Sequence, residues 1–481
     1  MIHESFFCDC YSLCIIIYSK EIILADKDFR IEKDSMGELK VPADKKWGAQ
    51  TQRAVENFQI SGYMMPEQYI KALALLKWSL ASANSELDLL PSEKADAIKD
   101  IALKISEGEF ADQFPVEVFQ SGSATSTNMN MNEVIANLGS NDDIEIHPND
   151  DVNLGQSSND VIPSALSICV AIYLHEHMIP AAAHLEKTIN DKALTLTSVV
   201  KMGRTHLQDA MPITMAQELG GWSASIRDSI KQFENALEEI QEIAIGGTAV
   251  GTGVNTHPDI GRIACELMNK RTGLNFKPSS DLFHAISSQD RSLLASSANR
   301  SLAVALTKIA NDLRWMGSGP LGGLGEITLP ALQPGSSIMP GKVNPVIPES
   351  VCMVAAQVFG HDATVSRAAQ SGNFQLNLML SLIAYDLIES MKLLTNSCYA
   401  LADKAIKGFE VNLENINEVL GKNPILVTAL NTKIGYEAGA KIVKKAYQEK
   451  RSIIDVALEE TDLDEKTLKD ILDPLKLTQN R

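Results

Sequence analysis

One spacing rule governs most of this chain. From Met215 the apolar positions run Met215, Leu219, Trp222, Ile226, Ile230, Phe233, Leu237, Ile240 and Ala244, every step three or four residues. That is one face of a helix, which returns to the same side every ~3.6 residues. Leu73, Leu76, Leu80, Ala83 and Leu87 repeat it, as do Leu302, Leu306, Ile309, Leu313 and Met316. No proline falls between Pro348 and Pro424, so long helices fit there too. Strand-like alternation is scarce. A helix of ~30 residues spans ~45 Å, and rods that long bury their stripes best against each other. The predicted fold class is therefore mainly α, a long helical bundle.

Stretches dense in Gly, Ser, Thr and Asn separate the helical runs and read as loops: 120–132, 147–160, 201–212, 246–257 and 317–348. The predicted division is an N-terminal extension over 1–26, an N-terminal domain over 27–155, a central bundle over 156–412 and a small C-terminal helical domain over 413–481. The extension is either a disordered arm or a start-site artefact.

The 481 residues are 45% hydrophobic and 22% charged, which suits two or three domains sharing a large core. The net charge of −18 makes nucleic acid and anionic membrane surfaces poor partners. It also repels a dianion at long range, so an anion site must be a local positive feature. Seven cysteines without repeated spacing argue against a disulfide framework. Cys8, Cys10 and Cys14 lack the second half of a metal site, and no metal or cofactor is expected. Cys169, Cys265, Cys352 and Cys398 fall in apolar stretches and read as core filler. No apolar run approaches the ~18 residues of a membrane span. Glu4 and Asp9 precede the apolar run 13–18, which is unlike a secretory leader. The expected location is the cytoplasm.

The stretch Gly335-Ser-Ser-Ile-Met-Pro-Gly-Lys-Val-Asn-Pro345 carries the chemistry. Two glycines and two prolines restrict its backbone to unusual shapes. It holds two hydroxyls, a lysine and an amide, and no carboxylate. Such a loop can bring N–H groups, Ser336, Lys342 and Asn344 up to a small anion. Two further clusters combine hydroxyls with the start of a helix pattern: Ser121-Gly-Ser-Ala-Thr-Ser-Thr-Asn128 and Gln156-Ser-Ser-Asn-Asp160. Free N–H groups and the helix dipole favour an anion there, although capping alone explains such composition. Gly203-Arg-Thr-His-Leu-Gln-Asp209 supplies His206, whose reference pKa near ~6.5 suits proton transfer at neutral pH. Gly246-Gly-Thr-Ala-Val-Gly-Thr-Gly253 lacks the Gly-Lys-Ser/Thr ending of a phosphate loop and reads as a close-packing element.

These motifs together resemble the fumarase/aspartase superfamily, from about Asp28 to the C-terminus. The Gly341-Lys342 form of the signature loop and the Thr205-His206 pair are similar to class II fumarases; aspartate ammonia-lyases carry Thr-Gln at that pair. The resemblance implies a homotetramer with a 20-helix core and three-domain subunits, each active site drawing loops from three of them. It implies reversible, stereospecific hydration of fumarate to L-malate, a tricarboxylic acid cycle step, through a carbanion of aci-carboxylate type. Ser336 would take the carbon proton, with Ser337 its neighbour in the loop. His206, paired with Glu349, would handle the proton of the departing hydroxyl through water. The implied substrate contacts are Ser123, Ala124, Thr125, Ser157, Ser158, Asn159, Thr205, Ser337, Lys342, Val343 and Asn344. His147, Pro148, Asn149 and Asp150 resemble a second dicarboxylate site. The chain departs from the family at Ala124, where a glycine is usual, at Leu154-Gly155 in place of Lys-Ser, and at Ile144 and Glu145, where some members are basic. Two rivals remain: the same fold with ammonia as leaving group, and a non-catalytic structural relative.

Overall fold

The computed structural model describes residues 29–479. The N-terminal extension, with Cys8, Cys10 and Cys14, lies outside the described residues. Helices dominate, and among the described residues the strands form five separate two-stranded sheets.

Five long rods make the centre. Ser158–Tyr173 continues through a π-turn at Leu174–Met178 into Ile179–Leu194, one rod of 37 residues. The others are Met215–Ile240, Asp290–Met316, Val346–Ala369 and Leu380–Leu401. The chain reverses after each rod, through segments as long as 241–289 and 317–345, so the rods run alternately up and down. The predicted stripes face inward. Met215, Leu219, Trp222, Ile226, Phe233 and Ile240 are buried, as are Leu302, Leu306, Ile309, Leu313 and Met316. Ile230 and Leu237 are only half-buried, and Ala244 lies past the end of its helix, in the buried segment that follows. The helix Glu67–Glu86 is buried on nearly all sides, because rods and loops surround it.

One core of apolar side chains runs from Val41 to Ile416. A second begins at Leu426 and joins Leu430, Ile442, Val456 and Leu468. The helix Leu413–Gly421 buries Ile416 in the first core, so it sides with the bundle.

Four sequence expectations need correction. The stretch 120–132 is a loop only as far as Ala124, after which the helix Thr125–Gly139 begins. The segment 201–212 is not a loop. Val200–Thr205 and Gln208–Thr214 pair antiparallel, with His206 and Leu207 as the two-residue turn. Buried Lys201 and Met202 hold this hairpin against the bundle end, a polar-apolar mixture that shows no clean period of two. By length and composition the rod Ser158–Leu194 could span a bilayer, yet 67% of its most apolar window is buried inside the protein. Its apolarity serves the core. Finally, Cys169, Cys265 and Cys398 are buried as core filler, but Cys352 is half-exposed, with its Sγ 3.8 Å from Asn311 Oδ1.

Candidate active site

The rods fix where the candidate residues lie. At ~1.5 Å per residue, the 37-residue rod from Ser158 to Leu194 is about 55 Å long. Ser157, Ser158 and Asn159 stand at its start. The His206 hairpin follows its end. The candidates therefore divide between two ends of one bundle.

At the first end, Ser157 caps its helix. Its Oγ accepts from Asn159 N–H at 3.2 Å, and Asp160 Oδ1 accepts from Ser157 N–H at 2.9 Å. Asp160 is fully buried, and its other oxygen accepts from Gly246 and Thr248 N–H at 3.1 and 2.9 Å. Burial raises this carboxyl to about 6, against the pull of those N–H groups. The glycine-rich stretch is thus tied to the rod's start by a carboxylate, and Asn159 Nδ2 adds a bond to Ala249 O at 2.8 Å. The helix Thr125–Gly139 begins beside it. Asn128 Nδ2 reaches Ser158 Oγ at 3.2 Å, so the two hydroxyl clusters of the sequence meet. Ser123 and Thr125 hydroxyls lie 2.9 Å apart and open to solvent. Ala124 is buried with φ 52°, the left-handed region that favours glycine. The departure from glycine at this position therefore costs strain and leaves the turn intact.

At the second end, the loop after Asp290–Met316 folds back on itself. Gly335 N–H donates to Lys342 O at 2.9 Å, and Asn344 Nδ2 donates to Gly335 O at 2.7 Å. A Cβ on Gly335 would stand 2.2 Å from Lys342 O, so only glycine fits there. Ser336 Oγ accepts N–H from Ile338 and Met339 at 3.2 and 3.1 Å. Those two donors favour negative charge on that oxygen. Ser337, Lys342 and Val343 are exposed. Lys342, Asn344 and Glu349 line a cavity of about 640 Å³ with Arg314 and Trp315; His206 is not among its lining residues. Thr205 and His206 are exposed at the hairpin tip, His206 with φ 55° and Leu207 with φ 60°. Below the tip, Lys201 pairs with Glu218 and Glu326, each at 2.7 Å, and Arg204 pairs with Glu326 at 2.8 Å. This buried network roots the hairpin to the rod and to the start of the loop.

His147 opens a short π-turn over Pro148–Val152. Its Nδ1 accepts from Asp150 N–H at 3.1 Å, which leaves Nε2 alone for a ligand, and Asn149 and Asp150 are exposed. Another cavity, of about 410 Å³, opens between Lys71, Cys169, His177 and Arg271 and contains none of the candidates.

Sequence reasoning missed Lys77, Asn128, Asn153 and the Lys201 network. Lys77 left one signal, a lone cation inside the apolar run 72–81.

A family model described as Lyase matches residues 37–360, and one described as Fumarase C C-terminus matches residues 426–479. The chain is 55% identical to a fumarate hydratase class II of Pseudomonas aeruginosa, covering 94% of this chain and 99% of the relative. It is 46% identical to the class II enzyme of Bacillus subtilis, over 93% of this chain and 98% of the other. The crystal structure of a class II fumarase from Schistosoma mansoni superposes with a TM-score of 0.92 at 36% identity, covering 94% of this chain and 99% of that one. With this degree of identity along nearly its whole length, the chain belongs to the class II fumarate hydratase family.

Proposed function

We propose that this protein hydrates fumarate reversibly to L-malate, in the cytoplasm, with Ser336 as the carbon base. The observation that carries the reading is the pair of N–H groups on Ser336 Oγ. A serine hydroxyl is a weak base unless its oxyanion is stabilised, and two backbone donors are the means to do so. Removing the proton beside a carboxylate leaves an aci-carboxylate with two negative oxygens. Lys342 and loop N–H groups stabilise that charge, and Asn344 keeps the loop closed. His206, oriented by Glu349, carries the hydroxyl proton through water.

The two-ended placement supports a site shared between subunits. One chain cannot bring Ser158 to Ser336 across a rod of about 55 Å. Antiparallel packing of a second and third copy brings opposite ends together, and the resulting assembly is a homotetramer. Exposed Val304, Met353 and Phe359 on the central rods supply apolar surface for it.

Side-by-side kinetics with malate, fumarate and aspartate test the reading. The expected result is turnover of malate and fumarate only, and loss of ~10²-fold or more in Ser336→Ala with assembly unchanged. Turnover of aspartate alone, or full activity in Ser336→Ala, refutes it.

A further inference from the structure

Lys77 sits inside the helix Glu67–Glu86 and is 1% exposed. Its ammonium donates to Asn153 Oδ1 at 3.0 Å and to Gln156 Oε1 at 2.8 Å. Among the described residues of the helices packed around it, Asp160 is the charged side chain that acts on it. Asp160 accepts three backbone N–H groups rather than the lysine. A buried ammonium without a direct ion pair is expensive, and a methionine would fill the same space at less cost. Its presence here points to a role outside packing.

The surroundings suggest that role. Asn153 Oδ1 receives Lys77, Asn128 Nδ2 at 3.2 Å and Asn132 Nδ2 at 3.3 Å. Asn128 Nδ2 also reaches Ser158 Oγ. Asn84, on the same face as Lys77, donates to Leu154 O at 3.1 Å. The oxygens of Asn84, Asn128 and Asn132 are buried without hydrogen bonds. Lys77 therefore lies behind the turn 153–159, two amides (Asn153 and Asn128) away from Ser158, where the helix starts at Thr125 and Ser158 converge.

We propose that Lys77 is a positioning residue for the dicarboxylate: its buried ammonium fixes the 153–159 turn and adds positive potential behind the two helix N-termini. The proposal rests on the functional reading above. It assigns an acidic protein a cation that never touches substrate, screened from salt by burial. Burial pushes the Lys77 ammonium down to about 7, with the Asp160 charge opposing. The ammonium is thus charged below neutral pH and loses its charge above it.

The test is Lys77→Met, compared with unaltered enzyme from pH 6.5 to 8.5. The expected result is an intact assembly with equal or higher melting temperature, and KM for malate raised about tenfold at pH 6.5. The two enzymes should converge toward pH 8.5, where the unaltered lysine is neutral. An unchanged KM at pH 6.5, or the same rise at both pH values, overturns the proposal. Should Lys77→Met fail to fold, calorimetry of succinate binding to the His206→Asn enzyme at pH 7.5 in buffers of different ionisation enthalpy decides. Proton uptake on binding supports Lys77, and its absence refutes it. An unaltered enzyme that does not turn over malate sinks the functional reading instead, and succinate-linked proton uptake still judges Lys77.

Discussion

Replacing Lys201 by methionine isolates what the buried ion network does. The lysine side chain is 2% exposed and joins two carboxylates, Glu218 at 21% and Glu326 at 5%. Methionine keeps most of the stem volume, so lost packing is small. Glu326 keeps Arg204 at 2.8 Å, while Glu218 can turn toward water. Breaking a buried pair by removing one partner costs ~3–5 kcal/mol, and these two escapes put the expected loss near the lower figure. Urea unfolding at fixed protein concentration measures it, since assembly makes apparent stability concentration-dependent. The network lies at the root of the His206 hairpin, so kcat should fall about tenfold as the tip loses its fixed base. Lys201→Met/Glu326→Gln should cost ~1–2 kcal/mol less than the sum of its two single variants, because both remove the same ion pair. A loss below ~1 kcal/mol in the single variant, or simple additivity in the double, refutes the reasoning.

Gly335→Ala should cut kcat/KM by ~10²-fold or more with little change in melting temperature, because its Cβ would strike Lys342 O inside an exposed loop; near-normal kinetics would contradict this. Asn159→Ala and Ser336→Ala chains, each inactive, should regain about a quarter of normal sites when refolded together in equal amounts, since each site needs one intact end of each kind. No recovery would argue that a single chain builds its own site. Asp386, raised by burial to about 6, binds its proton more tightly folded than unfolded. Stability should therefore fall as pH rises from about 4 through about 6, and Asp386→Asn should flatten that slope in pH-dependent denaturation.

The rods were legible because each stripe repeats over many turns, and Met215, Leu219, Trp222, Ile226, Phe233 and Ile240 are buried at that spacing. The hairpin at 200–214 was not legible. Its inward residues include Lys201 and Gly203, which pack through ion pairing and close approach to Met211 O rather than by apolar alternation. The chemical groups of the candidate site were chosen from the sequence as residue types in loops. Their distribution was not legible, because it depends on which end of a rod each loop caps. Only the lengths and turns of the folded chain put Ser158 and His206 at opposite ends. Lys77 was missed for a different reason: the apolar run 72–81 marks it as buried, but its partners Asn153 and Gln156 come from a distant part of the chain.

The turn at His206 and Leu207 carries one more consequence. Both residues hold left-handed backbone angles that Asn-Gly would adopt at lower cost. A laboratory selection that rewarded heat tolerance alone would drift toward Asn-Gly at this tip, gaining roughly 1 kcal/mol per relieved residue. It would discard the imidazole in doing so. The most thermally robust descendants of this enzyme should therefore include some that are catalytically dead.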